Sequence, residues 1–224
     1  MNVQASDAVS RWSICRSVVD RIAQAVESLR GDLVGSISRA IRTPSVNPRY
    51  PGEDYESHLG REEEVSRQLA DLYEQAGCQT DVFALEAGRA NAVGILRGRA
   101  SGRSLMYNGH VDVVPGGPDA EWSHGGPWSG CVADGFIWGR GASDMKAGLI
   151  AQAFAALAIR EAGLELDGDL ILEAVVGEET MEHEIGTSAC VARGYRADGA
   201  VVAEASAPPA TLGVIPATPR AVRI

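Results

Sequence analysis

His110 and Asp112 in LMYNGHVDVVP, Asp144 in WGRGASDMKAG, Glu178 and Glu179 in LILEAVVGEET, and Glu204 in GAVVAEA all stand where an apolar run stops. Runs of that length predict strands, and ligands in open α/β sheets gather beyond the carboxyl ends of strands. Side chains distant in sequence can therefore meet in one crevice. An imidazole among carboxylates suits zinc, cobalt or manganese.

Each part also has a plainer reading. A histidine at a strand end is often simply hydrogen-bonded; here Asp112 sits two residues on, where it could accept the imidazole's other N–H and fix its tautomer. Ser143 or Asp144 could cap the helix that starts near Met145, although a carboxylate at a glycine-rich turn can also bridge two cations about 3.5 to 4 Å apart. Glu178 and Glu179 follow a continuously apolar strand, so like charges meet at the rim of a buried sheet and call for a compensating cation. Adjacent side chains point different ways, so one acid can bind metal while the other faces an attacking water as general base. Glu204 alone would pass for an exposed loop acid. His58, His124 and His183 lie in polar or acidic segments and read as solvated or substrate-pocket groups.

The chain has 224 residues, 45% of them apolar, enough to bury a core in one large domain or one and a half. A net charge of -10 argues against nucleic-acid binding, which needs clustered Lys and Arg. Cysteines 15, 78, 131 and 190 form no C-x-x-C pair and read as reduced thiols. The first twenty residues carry Asp7, Arg11 and Arg16 and no continuous apolar stretch, and nothing approaches 18 apolar residues, so the expected location is the cytoplasm, away from membranes.

Helical spacing from Arg11 to Arg42 predicts one or two amphipathic helices ending at Thr43-Pro44. A loop follows to Gly60, then a helix in REEEVSRQLADLYEQAG whose acids Glu62, Glu63 and Glu64 suit a first turn. Strands are predicted at Thr80 to Leu85, Ala92 to Leu96, Ser104 to Tyr107, Asp169 to Val176 and Gly199 to Ala203. Between them come a loop from Pro115 to Gly141, a largely apolar helix in MKAGLIAQAFAALAIREAG, and a helix near Thr187 to Arg193. The alternation predicts a three-layer α/β sandwich with a mostly parallel sheet.

In this order, GHVDVVP, GRGASDMKAGLIA, GEETMEHEIGT and DGAVVAEAS resemble the metal-dependent amidohydrolases that include acetylornithine deacetylase, succinyl-diaminopimelate desuccinylase, aminoacylase and glutamate carboxypeptidase. The resemblance spans roughly Ser36 to Ser206. It implies a phosphorylase/hydrolase-like zinc-peptidase catalytic domain with two Zn²⁺ ions, Co²⁺ or Mn²⁺ being alternatives. By the same resemblance His110 and Glu204 hold one ion, Glu179 the other, Asp144 bridges both, Asp112 orients His110, and Glu178 is the general base. The implied substrate is a small N-acyl amino acid or peptide-like amide. Family members continue past the position of Glu204 into a lid and dimerisation domain and a last metal-binding histidine. Residues 1–206 are accordingly expected to be the amino-terminal portion of the catalytic domain and 207–224 a tail toward a missing domain, with homodimers only for a full-length form.

Two other classes stay open at this point. One is a non-catalytic remnant or metal-binding module lacking the last histidine. The other is a serine hydrolase on Ser143 and Lys146, which match S-x-x-K without the companion S-D-N and K-T-G segments.

Overall fold

The computed structural model describes residues 15–205. The expected start of the first helix at Arg11 and the tail 207–224 lie outside the described residues. The first element is a single helix, α1 (Arg16–Arg42), followed by the short α2 (Tyr55–His58) and α3 (Arg61–Gln75). Strands β1 (Gln79–Glu86), β2 (Arg89–Leu96) and β3 (Leu105–His110) come next, then β4 (Cys131–Ala133) and β5 (Phe136–Trp138). The chain continues through α4 (Lys146–Glu161), β6 (Leu170–Val175), α5 (Thr187–Ala192) and β7 (Gly199–Val202). No helix among the described residues is long and apolar enough to cross a membrane.

Five strands form one sheet in the order β1-β2-β6-β3-β7. Pairs β6–β3 and β3–β7 are parallel, whereas β1–β2 and β2–β6 are antiparallel. The sheet is therefore mixed, and its parallel half is the half that carries the candidate residues. The reason is connection length. Two residues separate β1 from β2, which permits only a hairpin, while β3 reaches β6 by a crossover containing α4, as parallel pairing requires.

Alternate side chains go to opposite faces of the sheet. Ala92, Leu170, Leu172 and Ala174 pack on one face against Ile41 of α1, Leu69 and Tyr73 of α3, and Leu149 and Ala153 of α4. Val93, Met106, Ile171 and Val175 pack on the other face around Cys190 of α5. Helices thus cover both faces, the predicted sandwich. Helix α4 lies between the sheet and α1, which explains its nearly all-round apolar sequence. The four residues of β7 are exposed.

Two details depart from the sequence reading. The segment 115–141 contains the β4–β5 hairpin, turning at Asp134-Gly135 with φ of 55° and 80°. Two positive φ values fit the Asp-Gly preference of a two-residue hairpin turn, a signal present in the sequence but masked by its many glycines. Glu62 is also more than a first-turn acid, since it is fully buried in an ion pair with Arg89.

Candidate metal centre

The candidate residues follow the carboxyl ends of three adjacent parallel strands. His110 ends β3 and Asp112 comes just after it; Glu178 and Glu179 follow β6; Glu204 follows β7. Asp144 stands just before α4 without capping it, for that helix has no side-chain cap at its amino end. The carboxylate turns instead toward His110, with Oδ1 3.2 Å from Nε2. Glu204 Oε1 lies 3.1 Å and Glu178 Oε2 3.6 Å from the same nitrogen. His110, Asp144 and Glu179 each offer a ligand atom, all within 4.8 Å of one another. The structure brings all six predicted residues together.

The imidazole is held from behind. Nδ1–H donates to the main-chain carbonyl of Asp112 at 2.9 Å, while the Asp112 carboxylate stands farther off, at 3.6 Å. The direct orienting contact is thus the backbone of Asp112, and its side chain has other work. Asp112 Oδ2 accepts from Asn47 Nδ2 at 2.8 Å and from the Glu179 amide at 3.0 Å, and Oδ1 accepts from the Glu178 amide at 3.3 Å. One buried carboxylate ties the end of β3 to the turn bearing both glutamates.

Electrostatics show what the site needs. Burial works against the His110 imidazolium, but hydrogen bonds and charge from Asp112 and Glu204 outweigh it and push the ring up to about 11. Burial, with Asp144 nearby, pushes Glu179 up to about 7. Asp144 is raised by burial and by Glu204, and Glu178 chiefly by burial. Only Glu204, which accepts from His110, and Asp112, whose contacts with His110, Asn47 and the Glu179 amide overcome its burial, are lowered. Carboxylates crowded in this way take up positive charge, either protons or a cation. One imidazole nitrogen and several carboxylate oxygens, pointing inward from rigid strand ends, form a donor set that fits a divalent ion of the zinc type.

The other histidines stand apart. His58 Nε2 pairs with Glu53 at 2.7 Å, His124 stacks on Trp138 at 4.1 Å, and His183 is exposed. Lys146 Nζ donates to the carbonyls of Ala40 and Thr43 at 3.0 and 2.7 Å, satisfying the end of α1 rather than serving Ser143. Sequence reasoning missed Asn47 and the buried Lys146. Asn47 sits in a Pro-rich loop with no pattern to single it out, and the only local pattern around Lys146 is the S-x-x-K match with Ser143.

Gly148 in α4 has its Cα where an added Cβ would run into the Ala203 carbonyl oxygen, next to Glu204. Gly148→Ala is favourable for a helix interior by about 0.5–1 kcal/mol, yet it would displace the segment that carries Glu204. We expect divalent metal binding to weaken about 10-fold, in the range of supporting-residue effects, with a lower melting temperature, because the overlap is with backbone that must move and outweighs the helix gain. Calorimetric titration with zinc beside a thermal melt checks both halves.

The chain is 44% identical over 146 residues to the N-formyl-4-amino-5-aminomethyl-2-methylpyrimidine deformylase of Bacillus subtilis (strain 168), a match covering 64% of this chain and 34% of that protein. It is 44% identical over 115 residues to the succinyl-diaminopimelate desuccinylase of Paracoccus denitrificans (strain Pd 1222), covering 50% of this chain and 30% of that one. The chain thus spans about a third of the length of these curated relatives. Its fold is similar to that of human carnosine dipeptidase 1, with a TM-score of 0.65 at 19% identity over 82% of this chain and 40% of that one. An M20 family metallo-carboxypeptidase from Sulfolobus solfataricus gives a TM-score of 0.58 at 20% identity, over 76% of this chain and 36% of that one. The model of peptidase family M20/M25/M40 matches residues 106–219, a stretch that takes in His110, Asp112, Asp144, Glu178, Glu179 and Glu204 together. The chain belongs to that family.

Proposed function

We propose that this chain carries the catalytic centre of a metal-dependent hydrolase that removes an acyl group from the nitrogen of a small amide. The observation that carries the reading is the convergence of His110, Asp144, Glu178, Glu179 and Glu204 at the ends of three adjacent strands. Two relatives named as a deformylase and a desuccinylase support an N-acyl substrate.

In this reading His110 Nε2 and Glu204 would hold one ion and Glu179 a second, with the Asp144 carboxylate available to both. Zn²⁺ is the proposed metal, with Co²⁺ or Mn²⁺ as substitutes; when bound, such ions polarise the amide carbonyl and lower the pKa of water. Asp112 fixes His110 through its carbonyl, so that Nε2 and not Nδ1 faces the carboxylates. Glu178 takes a proton from the attacking water on its carboxylate and delivers it to the departing amine nitrogen. Its raised affinity for protons suits that exchange. The acyl carbon gains the water oxygen, the C–N bond breaks, and the amine leaves neutral.

The test is hydrolysis of N-formyl and N-succinyl amines with added zinc or cobalt, read beside metal content. Turnover that follows metal loading supports the proposal. Equal turnover with and without a chelator overturns it.

Proton release gives a second check. Because His110 is protonated well above neutrality, an ion arriving at Nε2 must displace that proton. The raised folded-state pKa means the proton competes fully at and below neutral pH and fades only as pH rises toward about 11. Metal affinity should therefore climb with pH, by about tenfold per unit for each proton released. Zinc titrations in buffers of different ionisation enthalpy count the protons, and an affinity flat across neutral pH would remove His110 from the ligand set.

A further inference from the structure

Glu178 and Glu179 lie on a tight turn, and we infer that a buried charge network centred on Arg89 fixes the geometry of that turn. Arg89 is a positioning residue in this network. The inference rests on the metal and base roles proposed above for the two glutamates.

Arg89 opens β2, and its side chain is fully buried, as is that of Glu62. Nε and one terminal nitrogen of Arg89 donate to the two Glu62 oxygens at 2.5 and 3.0 Å, which already forms a neutral, two-pronged pair. The remaining terminal nitrogen reaches across to Glu182 Oε2 at 2.9 Å. Glu182 is therefore surplus to neutralising Arg89, and its other oxygen is compensated by Arg49 Nε at 2.9 Å. A buried ion pair is weak evidence for stability, and its better-attested use is to fix one arrangement among several. Here the residue fixed is the far end of the turn, whose near end holds Glu178 and Glu179.

The network continues to the site. Thr180 Oγ1 donates to Glu182 Oε2 at 2.8 Å and accepts from Asn47 Nδ2 at 3.0 Å. Asn47 also donates to the Asp112 carboxylate, which takes the amides of Glu178 and Glu179. The Glu182 amide closes the turn on the Gly177 carbonyl at 2.7 Å. The turn is thus gripped by Asp112 at one end and Arg89 at the other, with the Thr180 hydroxyl between them. Arg89 touches none of the candidate ligands.

Direct removal of Arg89 would strand the buried Glu62 and threaten folding, so the test works from the turn. Glu182→Gln, Thr180→Val and Thr180→Ser are compared with wild type and Glu179→Gln by zinc calorimetry, thermal melting and amide hydrogen exchange of the metal-free chain. Glu182→Gln and Thr180→Val should weaken the zinc equivalent that Glu179→Gln abolishes by about 10- to 100-fold. The equivalent that depends on His110 should change little, and the melting temperature should hold. Thr180→Ser, which keeps the hydroxyl, should restore wild-type binding. Exchange at the amides of Glu178, Glu179 and Glu182 should quicken while that of β6 does not. Wild-type zinc binding and wild-type exchange in Glu182→Gln and Thr180→Val would overturn the inference. Parallel loss of both equivalents with a lower melting temperature would overturn it too, as the mark of a general structural role. If Glu179→Gln itself keeps both equivalents, the assignment of Glu179 to a metal is what fails, and the inference falls with it.

Discussion

His110→Ala is expected to weaken zinc binding several-hundred-fold. The ring nitrogen Nε2 is the point on which Asp144, Glu178 and Glu204 converge, at 3.2, 3.6 and 3.1 Å. If a binding free energy of about 10–16 kcal/mol is shared among the three protein ligands proposed for that ion, losing one removes about 3–5 kcal/mol, at roughly 1.4 kcal/mol per tenfold. Removing the imidazole also removes the group that lowers Glu204, so the remaining acids would hold protons more tightly and compete with the ion. Calorimetric titration of wild type and variant decides the matter, and equal affinities would show that His110 is no ligand.

Glu178→Gln and Glu179→Gln are expected to fail in different ways. The two residues are adjacent and both reach the centre, Glu179 with a ligand atom within 4.8 Å of those of His110 and Asp144 and Glu178 with Oε2 3.6 Å from the ring nitrogen, so the division of roles proposed above is what the two variants test. Glu178→Gln should keep its metal and lose about 10²- to 10⁴-fold in turnover of an N-acyl amine, as expected for loss of a general base. Glu179→Gln should lose one equivalent of metal, with turnover falling as a result. Metal content and rate are to be measured on the same samples. Equal metal loss in both variants would mean that the two roles are not divided between these neighbours.

Much of this arrangement was legible in the sequence because strand ends mark themselves. Helix α4 and strand β6 are long, apolar and bounded by turn residues, so their positions agree with expectation to within a residue or two. Strand β3 runs to His110 rather than stopping near Tyr107. Asn108 looks like a strand terminator, yet inside the sheet its amide donates to the buried Glu173 at 2.9 Å. Pairing of that kind joins residues on different strands and leaves no local trace. The same limit hid the antiparallel partnership of β2 with β6, the burial of Glu62, and the task of Asn47. Asp144 shows the reverse case. Local chemistry favoured a helix cap, and the tertiary contact with His110 won because only the fold supplies an imidazole there.

The mixed sheet also bears on when during folding the centre comes into being. Hairpin β1–β2 closes over two residues, whereas β3 must find β6 across everything from Val111 to Asp169 before His110 and the glutamate turn are neighbours. Short loops close on fast timescales, and parallel pairings between distant segments are intrinsically slow. During refolding, then, strand signal from the hairpin should precede the capacity to chelate. A dye-competition signal for zinc, followed after a denaturant jump, would mark the slowest step of assembly, because chelation requires the long-range pairing to be complete.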